Sequence, residues 1–191
     1  MTTVGRRERK KVQTRQALAD AALRLFLERG YDGVTVAQIA DAADVSLATL
    51  FKHVPDGKEA LIFDDGAQRR EALTATVRDR PAGTSILDAL RAFMSGRGVF
   101  ATELSPELRR YRDLIVATPA LRDYQRKLWA ASEGALAEAI AAEAGRDAAD
   151  PALRALARYV LEIPDVVGMG PDPLAAMNAV FDLLAEGWSG P

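Results

Sequence analysis

The chain lacks cysteine, holds a single histidine, is poor in aromatic residues and has no long apolar run. Each shortage removes a class of function. Without cysteine there is no disulfide, no thiolate nucleophile and no Cys-based zinc site, and a reducing cytoplasm is compatible. His53 alone cannot build a His-based metal cluster or a serine triad. No glycine motif that cradles phosphate is present. No apolar run approaches the roughly 18 residues needed to span a bilayer. The N-terminus is charged, but no apolar segment follows it, so it does not read as a secretory signal. Asp64 and Asp65 are neighbours in sequence, so on a helix they do not face each other. They better suit the positive N-terminal end of their helix. The expectations are therefore no enzyme, no metal, no cofactor, no membrane partner and a cytoplasmic location.

What is present is helical. The 191 residues are 49% hydrophobic and rich in Ala and Leu, enough for a real core and for an all-α fold. The net charge is −2, but it is unevenly spread. Arg6, Arg7, Arg9, Lys10, Lys11 and Arg15 crowd the start against Glu8 alone. A basic end on a mildly acidic body suits phosphate contact at one pole, and equally a solvated tail.

Local signals place the elements. Val12, Leu18, Ala21, Ala22, Leu25 and Phe26 make one apolar stripe on a first helix over 9–29, with Gly30 as its C-terminal cap. Thr35 and Gln38 have capping-box spacing for a second helix whose inner face is Val36, Ile39, Ala40 and Ala43. Asp44 breaks that run, and Ser46 caps a third helix over 47–53. Leu50 and Val54 point inward there, and Ala48, Thr49 and Lys52 outward. Asp56 and Glu59 form another capping pair, opening a fourth helix over 57–79. Ser105-Pro106, Thr118-Pro119, Asp150-Pro151 and Asp172-Pro173 each join a capping residue to a proline, which is tolerated at the first helical position. They place helices over 106–117, 119–144, 151–167 and 173–187, with one more over 84–103 weakened by Gly96 and Gly98. Pro164 should kink or end its helix.

Two short helices joined by a tight turn fit the major groove, the second entering and the first lying across it. Leu47, Ala48 and Thr49 then suit a thymine methyl or a base edge. Lys52, His53 and Lys58 suit phosphates. The competing reading is three helices of an ordinary bundle with solvated charges.

At these residues the chain resembles the TetR family of transcriptional regulators. The resemblance rests on Thr35, Ile39, Ala40, Ala43, Val45, Ser46, Thr49, Leu50, His53, Pro55, Lys58, Glu59 and Leu61, with Gly30-Tyr31 upstream. It covers about the first third of the chain. Three departures stand out. Asp44 replaces the turn glycine, which Asp tolerates better than most residues. Phe51 replaces the usual tyrosine and loses a hydroxyl contact to phosphate. The segment Val54-Pro55-Asp56-Gly57-Lys58 is one residue longer than the common form, with Val where Phe is usual. The extra residue bears on how Lys58 approaches the DNA backbone. The resemblance implies DNA contacts at Thr35, Ser46, Leu47, Ala48, Thr49, Phe51, Lys52, His53 and Lys58. It also implies a homodimer with a ligand pocket in each C-terminal half, and an effector that changes the spacing of the two reading heads. Residues 114–121, LIVATPAL, look like a junction common in the regulatory domain of the family.

Two late helices have broad apolar faces: Leu153, Leu156, Ala157, Val160 and Leu161, then Leu174, Met177, Val180, Phe181 and Leu184. They fit a four-helix interface between subunits, or an intramolecular core; periodicity does not separate the two, and the need for two-fold symmetry on a palindrome favours the dimer. Phe93, Met94, Phe100, Tyr124, Trp129 and Tyr159 are candidate pocket residues or plain core, and a mostly apolar effector is expected. Arg109, Arg110 and Arg112 form a basic cluster near the DNA domain or a solvated face.

The expectation is thus an all-α protein with a helix-turn-helix DNA-binding domain over 1–57 and a helical ligand-binding and dimerisation domain over 58–191. Its partners would be a double-stranded DNA operator, a small-molecule effector and a second copy joined through 151–167 and 173–187. Repression released by the effector is expected first. An activator or corepressor-dependent form, and a helical carrier or interaction module without specific DNA binding, are the alternatives.

Overall fold

A computed structural model describes residues 5–54, 57–63 and 66–187, with the side chains of residues 6–8 not among them. The expectations on Arg6, Arg7, Pro55, Asp56, Asp64 and Asp65 lie outside what is described. Among the described residues there are helices and no strands. The chain divides into two compact units, residues 1–65 with 106–124, and residues 66–105 with 125–191.

The first unit contains α1 (Arg6–Arg29), α2 (Val36–Ala42), α3 (Leu47–His53), a 3-10 turn (Lys58–Leu61) and α6 (Pro106–Ala117). α7 (Pro119–Ala130) begins in it. The turn at Lys58–Leu61 and α6 both pack on α1, so this unit takes in residues beyond the boundary at 57 expected from sequence. Its core is the stripe Leu18, Ala21, Ala22, Leu25 and Phe26 meeting Ile39, Ala40, Leu50 and Leu61. Val12, expected on that stripe, is 60% exposed, because the buried part of α1 starts a turn and a half further on.

The second unit contains α4 (Ala67–Arg78), α5 (Ile86–Ser95), a 3-10 turn (Gly98–Phe100), α8 (Glu133–Ala144), α9 (Pro151–Val167) and α10 (Pro173–Glu186). α8 packs on both α4 and α9, and α10 on both α5 and α9. Phe93, Met94, Leu136, Ile140, Val160 and Phe181 are central to one apolar cluster.

All four capping residue–proline pairs open helices, and the Asp150 and Asp172 side chains accept from Ala152 N and Ala175 N. Three longer expectations are corrected. The helix over 57–79 is a 3-10 turn and α4, separated at Gly66, whose φ of 75° is left-handed. The helix over 84–103 ends at Ser95, before Gly96. The helix over 119–144 breaks at Ala131-Ser132, where Ser132 is buried and starts α8. Pro164 lies within α9, which continues to Val167. Gly168 is its C-terminal cap, with its N–H donating to the Pro164 carbonyl at 3.1 Å, and a Cβ there would stand 2.2 Å from the same oxygen.

The two broad apolar faces are largely consumed within the chain. Leu153, Ala157, Val160, Leu161, Met177 and Phe181 are buried in the second unit's core, and Leu156, Leu174, Val180 and Leu184 pack against it. Much of both faces is thus intramolecular core, the alternative to a subunit interface. The large apolar residues that α9, α10 and the turn between them leave exposed are Tyr159, Val166, Met169 and Leu183.

Candidate nucleic-acid interface

Each short helix of the first unit is started by its own side chain. Thr35 Oγ1 accepts from Gln38 N at 3.3 Å, and Gln38 Oε1 accepts from Thr35 N at 2.9 Å. Ser46 Oγ accepts from Thr49 N at 3.2 Å and lies 2.9 Å from Thr49 Oγ1. Such caps contribute about 1 kcal/mol each. Between the helices Asp44 has a φ of 54°, the only described non-glycine residue in the left-handed region. The turn keeps the geometry that a glycine would provide.

α3 is two-faced. Leu50 and the following Val54 are each 1% exposed. On the other side Leu47 is 42% and Phe51 51% exposed, and Ala48 and Lys52 are exposed with them. Two large apolar side chains held in water beside one cation form a surface suited to base edges and thymine methyls as well as to a phosphate. Thr49 and His53 are half-buried at its margins, and Thr35 and Ser46 are exposed at the two helix starts. The residues of α3 and its cap expected at DNA are thus on one short helix.

Lys58, expected at a phosphate, and Arg15, of the basic N-terminal segment, turn inward. Lys58 Nζ donates to the carbonyls of Tyr31 at 2.8 Å and Val34 at 2.9 Å, and sits 3.9 Å from the centre of the Tyr31 ring. Arg15 Nη1 donates to His53 O at 3.0 Å, and its Nη2 to Ala60 O at 2.8 Å and Phe63 O at 3.0 Å. The reason is local: Arg15 meets carbonyls at the ends of α3 and the 3-10 turn that have no helical partner, and Lys58 meets carbonyls of the connection between α1 and α2. Glu59, expected to cap a helix with Asp56, instead accepts the Tyr31 hydroxyl. Burial first, then that hydrogen bond and the carboxylate charge, push the Tyr31 pKa well above its ordinary value. Residue charge along the chain carries no sign of this network. The one available pointer is the lengthened segment before Lys58, in which Gly57 has a φ of 98°.

The candidate pocket residues separate. Phe93, Met94 and Phe100 are buried in the second unit's core, and Trp129 packs against it with Arg69 5.2 Å from its ring. Tyr124 belongs to the first unit, stacked on Phe63 with ring centres 5.6 Å apart. Tyr159 is 62% exposed and lines no interior space. Arg97, not anticipated, lies 3.7 Å from the Phe93 ring centre and donates to the Phe93 carbonyl. Its desolvation lowers the guanidinium pKa. A groove of about 420 Å³ beside α4 and α8 is lined by Thr74, Ala135, Ala139 and charged residues, and by none of the pocket candidates.

A capped helix pair with a tight turn and an exposed reading face defines a helix-turn-helix DNA-binding protein. Its wider likeness is specific. The profile for bacterial regulatory proteins of the tetR family matches residues 18–64, and that for the MftR C-terminal domain matches residues 84–164. The HTH-type transcriptional regulator TcmR of Streptomyces glaucescens is 36% identical over 156 residues, covering 76% of this chain and 67% of that protein. The putative mycofactocin biosynthesis transcriptional regulator MftR of Mycobacterium tuberculosis is 26% identical over 142 residues, covering 74% of this chain and 71% of that protein. Salmonella enterica GusR shares the fold, with a TM-score of 0.55 at 22% identity over 91% of this chain and 94% of that one. The chain belongs to the TetR family of transcriptional regulators. Among the described residues no helix is long and apolar enough to cross a membrane.

Proposed function

We propose that the protein is a ligand-responsive repressor that binds a near-palindromic operator in the cytoplasm as a homodimer and is released by a small, mostly apolar effector. The observation that carries the reading is the outer face of α3, where Leu47, Ala48, Phe51 and Lys52 stand exposed over a buried Leu50. Leu47, Ala48 and Thr49 read base edges, Ser46 and Thr35 meet the backbone at the helix starts, and Phe51, Lys52 and His53 complete the contact. A second copy supplies the second half-site, about 34–36 Å away or at a related spacing. Exposed Tyr159, Val166, Met169 and Leu183 support a self-association surface on the second unit. Its aromatic and aliphatic interior, with Phe93, Met94, Phe100 and Trp129, supports an apolar effector. Such an effector acts only by preferring the conformer whose heads do not match the operator.

The test is selection of bound fragments from a genomic library, followed by gel shift of the winners with and without candidate ligands. One palindromic site bound by two subunits and vacated on ligand addition is the expected result. Tighter binding with ligand would make the protein corepressor-dependent, and no preferred sequence would favour a carrier or interaction module. Thr49→Ala should relax preference at one base position by about 1 kcal/mol. Unchanged preference would remove Thr49 from the reading set.

A further inference from the structure

We infer that Lys58 and Arg15 are positioning residues that pin the helix-turn-helix from behind, and that Lys58 is engaged there and not on the DNA backbone. The inference rests on the DNA-reading role of α3 proposed above and deepens it. Gly57 has a φ of 98°, and a Cβ there would come within 2.5 Å of Glu59 Oε2. The backbone conformation therefore favours glycine, while the carboxylate, at the end of a flexible side chain, could move aside. Immediately after it the chain enters the 3-10 turn with Lys58 directed at the Tyr31–Val34 connection. An ammonium has three donors. Two are spent on the Tyr31 and Val34 carbonyls, and the charge lies over the Tyr31 ring. Tyr31 and Val34 are 7% and 1% exposed and Lys58 is half-buried, so a phosphate that recruits this cation has to compete with two carbonyls already holding it.

Arg15 completes the arrangement. Its fork joins α1 to the last carbonyl of α3 and to two carbonyls around the 3-10 turn. Lys58 joins that same turn to the connection leading into α2. Both helices of the reading motif are thereby held to α1 and to the turn by directional charge-assisted hydrogen bonds. Lys52, exposed on α3, remains for phosphate contact.

Reductive methylation of the wild-type protein, alone and on duplex DNA carrying its selected site, with rates read by peptide mass, tests this without altering the fold. Lys52 should react readily in the free protein and be shielded by DNA. Lys58 should react about tenfold more slowly in both states, since two carbonyls hold its half-buried ammonium and local opening frees it. A Lys58 that reacts as fast as Lys52 and is shielded by DNA would overturn the inference. A slow Lys58 beside a Lys52 that no DNA shields would uphold the clamp and sink the reading face. The salt dependence of DNA affinity gives an independent reading. Lys52→Met should lower the slope of log K against log salt by about one unit, and Lys58→Met should leave it unchanged. A loss of one unit in Lys58→Met would equally overturn the clamp.

Discussion

The two units are held together by different forces. In the first, α2 and α3 have 7 residues each, so most of their backbone groups belong to helix ends. Side-chain caps, Arg15 and Lys58 meet those groups one by one. In the second unit, helices of 10 to 17 residues satisfy their own backbones and bury a continuous apolar cluster. Orientation in the first unit is thus set by donors and acceptors with fixed directions, and in the second by volume. Arginine shows the contrast within one residue type. Arg15 gives its donors to three carbonyls. Arg91 reaches Asp182 at 2.6 Å but leaves a buried Nε without a partner.

The difference predicts which deletions hurt. The largest effect belongs to volume: Phe181→Ala should cost about 3–5 kcal/mol in urea unfolding, because Phe181 is fully buried at the centre of the second unit's cluster. A cost below about 1 kcal/mol would mean that the core collapses around the gap and is not volume-limited. Next comes direction: Arg15→Met keeps the apolar stem and should still cost about 2 kcal/mol, since three carbonyls lose a charged donor. Arg91→Met should fall within about 1 kcal/mol of wild type, because losing the ion pair is offset by removing a poorly satisfied buried group. Equal costs for the two variants in thermal unfolding would erase the distinction between the units.

A smaller effect follows from Tyr31. Its pKa is raised in the folded state, from an ordinary value of 10.0. The folded form therefore holds the phenol proton more tightly, and the associated stability is fully present below about pH 10 and lost as pH rises above it. Unfolding followed from pH 8 to about 11 should show this alkaline decline in wild type. Tyr31→Phe should flatten it, at a cost of about 1 kcal/mol at neutral pH for the lost hydrogen bond to Glu59. A decline that persists unchanged in Tyr31→Phe would assign it to other groups.

Much of the fold was legible because helix starts are written locally. Thr35 with Gln38, Ser46, and the Asp-Pro pairs at 150 and 172 act within their own turn, and each opens the helix expected of it. Helix ends inside long favourable runs were not. Residues 119–144 are mostly good helix formers, yet the helix breaks at Ala131-Ser132. Gly66, left-handed just before α4, was a break that helical periodicity concealed. The exposed face of α3 was legible because its residues are consecutive on one short helix. The inward turn of Arg15 and Lys58 was not, since a cation's sequence position does not say whether water, phosphate or an orphan carbonyl receives it. Tyr124 and Tyr159 were misplaced for a related reason: aromatic content predicts burial poorly when only one side of a helix is covered.

The smallest effect sits at the turn between α2 and α3. Asp44 occupies a left-handed conformation that costs a side-chain-bearing residue about 1 kcal/mol, less for Asp than for most. Asp44→Gly removes that strain but gives the unfolded chain more freedom to lose. The two nearly cancel, so a net gain of about 0.5 kcal/mol is expected, read as a small rise in melting temperature. Because the turn geometry is already that of a glycine, the operator sequence selected by Asp44→Gly should be the same as wild type. A changed sequence preference would mean that the turn, and not only α3, sets which bases are read, and the assignment of specificity to Leu47, Ala48 and Thr49 would have to be shared with it.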